Sequence, residues 1–147
     1  MDIDRLRRVH RFLARHSLYP LLFSSLLAGF LLAARLAYAR DAAYIGLPWN
    51  LFLAWVPYLA SLWAARLQRR WPGRWWLLLM PGGLWLAFLP NAPYILTDFW
   101  HLAYRPPVPL WFDIGLLSLF ALTGLFLGIL SLRTMQRLVE VTLGWLV

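Results

Sequence analysis

The stretch LPNAPYILTDFWHLAYRPPVPLWFD, Leu89 to Asp113, decides how the chain is read. It contains Pro90, Pro93, Pro106, Pro107 and Pro109, half of the chain's ten prolines. It also carries Asn91, Asp98, His101, Arg105 and Asp113, while the sequence on both sides is apolar and helix-forming. Breaker-rich polar sequence between membrane-length apolar runs is where a membrane protein can build a site.

The composition agrees with a membrane protein. Of 147 residues, 62% are hydrophobic and 14% charged, against about 45–50% and about 25% in ordinary globular domains. The length allows one domain. Cysteine is absent, which excludes disulfides and thiolate metal sites. The net charge of +8 comes from fourteen arginines with no lysine. Arg5, Arg7, Arg8, Arg11 and Arg15 form one cluster and Arg66, Arg69, Arg70 and Arg74 another, each flanking a long apolar run. That placement fits cytoplasmic membrane flanks facing anionic headgroups. It argues against nucleic acid, which needs a soluble basic face.

Working outward from the central stretch gives four apolar runs. Uncharged residues extend over Ser17–Ala34, from Asp41 to Arg66, from Arg74 to Asp98 and from Asp113 to Arg133. A membrane-crossing helix needs roughly 20 apolar residues. The expected fold is therefore an all-α, polytopic transmembrane helical bundle. It has about four spans, near residues 17–39, 45–65, 75–96 and 109–132, plus a short interfacial or broken helix at the outer face. Residues 1–16 form a basic cytoplasmic arm, with His10 and His16 as solvated interfacial side chains. Residues 17–147 form one transmembrane domain, and Val141–Val147 begins a further apolar run, as in a chain cut short.

Within this scheme, Arg35 snorkels outward and extends the first span to Ala39. Ala37-Tyr38-Ala39 resembles a signal-peptidase site, but the apolar run before it exceeds the ~7–15 residues of a signal h-region. A retained anchor is expected. Pro57 should kink the second span, and Pro81-Gly82-Gly83 should interrupt the third. Trp75–Leu89 covers only about 22 Å as a helix, short of a ~30 Å hydrocarbon core. Pro90-Asn91-Ala92-Pro93 therefore falls at membrane depth, where irregular backbone must be buried against protein or line a wet cavity. In the fourth span, Ala121, Gly124, Gly128 and Ser131 make a small-residue face that lets a partner helix approach closely. With the amino terminus in the cytoplasm, eleven arginines lie inside and three outside, as the positive-inside rule requires. Leu89–Asp113 then faces outward.

The candidate ligand residues are Asn50, Asn91, Tyr94, Thr97, Asp98, His101 and Asp113. As an α-helix, Tyr94–Tyr104 puts Tyr94, Thr97, Asp98 and His101 on one face. Asp98 and His101 can touch, and with Asp113 from the next helix they form a candidate divalent-metal set, by analogy with Glu-x-x-His in di-iron bundles. The same features also have a structural reading: an intrahelical pair, a helix-start aspartate, a capping asparagine and an interfacial aromatic belt. No Ser–His–acid, P-loop or His-Glu-x-x-His pattern is present, and Leu89–Asp113 contains neither Cys nor Ser.

WNLFLAWVPYLA, LPNAPYILTDFWHL and VPLWFDIGLLSLFALTGLFLG together resemble the bacterial membrane proteins grouped as domain of unknown function 1361. The resemblance runs from about Trp49 through Leu132. It implies a polytopic membrane protein with no established activity. It also implies further hydrophobic helices and a later Gly-Arg-x-x-Arg-x-Asn-Ser-Trp-Asp-like motif downstream. Three readings of function follow: an outward-facing polar pocket binding an ion or polar ligand, a metal-dependent enzyme acting on an envelope or lipid-linked substrate, and a structural or assembly subunit.

Overall fold

The computed structural model describes residues 18–104 and 106–144, leaving out the side chain of Leu143. The basic arm at 1–16, with its two histidines, lies outside the described residues. Every element within them is helical: α1 (Leu18–Ala39), α2 (Leu47–Arg70), a 3₁₀ turn Trp75–Leu78 leading into α3 (Leu79–Phe88), α4 (Asn91–Tyr94) continuing as a 3₁₀ helix Ile95–His101, and α5 (Leu110–Leu143).

Leucine and alanine, strong helix formers, make up most of α1. Its buried residues are Leu18, Leu21, Ala28, Leu32 and Arg35, recurring at three and four, the seam of a helix that packs along one face. That seam rests mainly on α5, not on α2, its neighbour in sequence. Trp55 donates to Ser25 Oγ at 3.2 Å and ties α2 to α1. The remaining packing sets α5 between α1 and α2, with α3 on α2 and α4 against both α2 and α5. The core runs through Leu32, Leu51, Ala54, Tyr58, Ile95, Leu117, Phe120 and Leu127.

The proline expectations divide. Pro48 sits in the first turn of α2 and Pro57 inside it, and α2 remains one helix to Arg70. Pro81 falls in the first turn of α3, where its missing N–H removes no intrahelical bond. The expected interruption at Pro81-Gly82-Gly83 is thus displaced to the 3₁₀-to-α junction just before it. The break at Pro90 does occur. Asn91 Nδ2 donates to the Phe88 carbonyl at 3.2 Å and satisfies a group that the lost helical turn frees.

Two helices of the described residues, Leu18–Ala39 and Leu110–Thr142, are long and apolar enough to cross a membrane. Four such helices are not found. α2 ends in Arg66, Gln68, Arg69 and Arg70 and starts near Asn50, while the third segment is divided into pieces too short to cross as one helix. Val141–Leu143 continue α5 and do not open a separate element.

The small-residue face of α5 is occupied from within the chain. A Cβ on Gly124 would lie 2.6 Å from Ile95 Cδ1 and 2.9 Å from the Ala92 carbonyl; one on Gly128 would lie 2.9 Å from Ala92 Cβ. This face packs on Ala92 of α4 and on Ile95 of the 3₁₀ helix that follows, both fully buried.

Candidate functional site

At the end of α1 the chain turns through Arg40 in the left-handed region (φ 52), with the Arg40 N–H bonded to the Leu36 carbonyl at 3.0 Å, a C-terminal cap. Asp41 Oδ1 accepts from the Ala43 N–H at 3.0 Å, an Asx-type turn. Tyr44, also left-handed (φ 63), places its ring 4.9 Å from the Arg35 guanidinium carbon, within cation–π range.

This loop encloses Arg35. The guanidinium donates from Nε to Asp113 Oδ1 at 2.7 Å and from Nη2 to Asp113 Oδ2 at 3.1 Å, the bidentate fork that makes arginine–carboxylate pairs strong and directional. Its Nη1 donates to Asp41 Oδ1 at 2.7 Å. Arg35 and Asp113 are each only 1% exposed. Asp113 lies in the first turn of α5, where the helix dipole also favours a carboxylate. The expectation that Arg35 snorkels outward is corrected. It sits on the inward seam, one step after Leu32, and a buried aspartate on α5 requires its charge.

A second polar group forms where the third segment meets α2. Asn50 Nδ2 donates to Asp98 Oδ2 at 2.9 Å, joining residues 48 positions apart. Asp98 is half-buried and His101, one 3₁₀ turn later, is exposed. The Tyr44 hydroxyl points to the His101 carbonyl at 3.5 Å and connects the two groups.

The sequence candidates are therefore only partly assembled. Asn50 and Asp98 come together. Asn91 caps the break near α5, and Thr97 Oγ1 donates to the Tyr94 carbonyl at 2.7 Å. Tyr94 and Thr97 are exposed. The expected α-helical stripe of Tyr94, Thr97, Asp98 and His101 is absent because Ile95–His101 is 3₁₀. With three residues per turn, Ile95, Asp98 and His101 share a face, while Tyr94, Thr97 and Trp100 point elsewhere. The metal set of Asp98, His101 and Asp113 does not gather: Arg35 takes both oxygens of Asp113. Among the described residues no three His, Cys, Asp or Glu side chains are placed to hold a metal ion.

Sequence reasoning missed Arg35, Asp41 and Tyr44 as members of this end of the bundle. The one available signal was register. Arg35 continues the Leu18, Leu21, Ser25, Ala28, Leu32 series at three-and-four spacing, and Ser25 and Ala28 are the small residues of a packing seam.

In comparison with known proteins, residues 49–146 match the family described as Protein of unknown function (DUF1361). No curated protein matches the chain, and no solved structure does.

Proposed function

The chain belongs to the DUF1361 family, and we propose that it is a polytopic protein of a bacterial inner membrane whose outward-facing end binds an ion or small polar ligand at Asn50, Asp98 and His101. The observation that carries this reading is the division of labour between the two aspartates. Asp113 is buried and saturated by Arg35. Asp98 is half-buried, and within the described residues its hydrogen-bonding partner is Asn50, on one oxygen. A carboxylate held on one side and accessible on the other can receive a cation or a hydrogen-bond donor, and His101 shares its face. Asp113 is thereby removed from the ligand set and becomes a fastener beneath it. Arginine placement supports an orientation with the amino terminus in the cytoplasm.

The test uses purified protein titrated with Mn²⁺ and Zn²⁺ while thermal stability is followed. A cation-dependent rise in melting temperature is expected, lost in Asp98→Asn and reduced in His101→Gln, with both variants folded. The reading fails if neither ion stabilises the wild type. Single cysteines replacing Arg70 and Tyr104, in a chain with no other cysteine, test the orientation: a membrane-impermeant thiol reagent should reach 104 and not 70 in intact cells.

A second reading, a structural or assembly subunit, draws support from how fully Arg35 is satisfied inside the chain. On that reading Asp98→Asn lowers accumulation in the membrane and no cation changes the melting temperature.

A further inference from the structure

The opposite end of the bundle is built differently. Residues 66–76, RLQRRWPGRWW, contain four arginines and three tryptophans and no acidic residue. They form the last turn of α2, a turn through Gly73 in the left-handed region (φ 84), and the start of the 3₁₀ helix Trp75–Leu78. Arg66, Arg69, Arg70 and Arg74 are exposed, as are Trp71, Trp75 and Trp76. Among the described residues, ion pairs involve Arg35 alone of the arginines. The Arg70 guanidinium lies 5.0 Å from the centre of the Trp71 ring, so cation and aromatic face are presented together.

A matching exposed set marks the other end, with Trp49, Trp111 and Trp100, the last 91% exposed. Trp49 and Trp71 are twenty-two residues apart. Along α2 that is about 33 Å at 1.5 Å per residue, close to the ~30 Å hydrocarbon core. Tryptophan gathers at both membrane–water interfaces, so the spacing suits an α2 that reaches from one interface to the other despite its polar ends. On that placement the arginine hairpin meets the headgroup level.

We propose that the Arg66–Trp76 hairpin is a binding surface for anionic phospholipid headgroups, its arginines taking the phosphates and its tryptophans seating at the interface; this rests on the membrane reading above, and is independent of the Asp98 site. Charge complementarity selects the occupant. An anionic leaflet attracts each nearby arginine by about fivefold in binding, and the hairpin has no carboxylate of its own to compete.

The experiment reconstitutes the full chain in phosphatidylcholine vesicles containing trace spin-labelled phosphatidylglycerol or phosphatidylcholine. Electron paramagnetic resonance then reads the fraction of each lipid immobilised at the protein. Wild type should prefer phosphatidylglycerol by at least about fivefold, and the preference should shrink as salt rises. Arg69→Gln/Arg70→Gln/Arg74→Gln should bring it close to parity, while the triple lysine variant should keep most of it. If the glutamine variant fails to insert, the wild-type salt series and the lysine variant carry the test. Equal affinity for the two lipids in the wild type, or a preference unaltered by salt or by the glutamine triple, would overturn the proposal. An intact preference with no cation response at Asp98 would sink the ligand site alone.

Discussion

Arg35 and the arginines of the 66–76 hairpin are the same residue type, each beside a long apolar run, and the fold treats them in opposite ways. Arg35 is buried, with its donors committed to Asp113 and Asp41 and its face on Tyr44. The hairpin arginines are exposed. The difference comes from register. Arg35 falls on the packing seam of α1, whereas Arg69, Arg70 and Arg74 follow the last turn of α2 into a loop. One end of the bundle uses arginine as an internal fastener; the other leaves it available to the surroundings.

Substitutions should separate the two roles by size. The largest effect belongs to the fastener. Asp113→Ala or Arg35→Ala leaves a buried charge without its partner, which costs about 3–5 kcal/mol, and unfolding in mixed micelles should show it. Next comes the α4–α5 contact that supports Asp98. Gly124→Ala forces a Cβ against the Ala92 carbonyl at 2.9 Å and should cost about 1–3 kcal/mol by overpacking. Asn50→Ala removes the donor to Asp98 and should cost about 1 kcal/mol. Smallest are single Arg→Gln changes in the hairpin, expected within about 0.5 kcal/mol because the side chains are exposed. A hairpin substitution as damaging as Asp113→Ala would erase the distinction between the ends.

The parts of this arrangement legible in the sequence were those set by length. The segment from Trp75 to Leu89 is fifteen residues long, and its end at Pro90 was legible from that length and from the two prolines that follow. Asn50 and Asp98 were also placed at one level by topology, and they meet. The 3₁₀ winding of Ile95–His101 was not legible, since α and 3₁₀ helices share residue preferences and differ only in which side chains align. Arg35 was hidden for another reason. α1 is apolar on nearly every face, so only the small residues Ser25 and Ala28 mark the seam, and the partner that decides the matter lies 78 residues away. The occupant of the Gly124–Gly128 face was equally invisible, because a small-residue motif shows that something approaches without showing what.

The central claim is that Arg35 and Asp113 form one buried unit that binds α1 to the rest of the bundle, including the family-matched region at 49–146. The most direct measurement is a double-mutant cycle on reversible unfolding with Arg35→Met, Asp113→Leu and the pair combined. The predicted result is that each single variant loses about 3–5 kcal/mol and the double variant recovers much of it, with a coupling energy above about 2 kcal/mol. Additive losses, with the double variant no better than the sum of the singles, would contradict it.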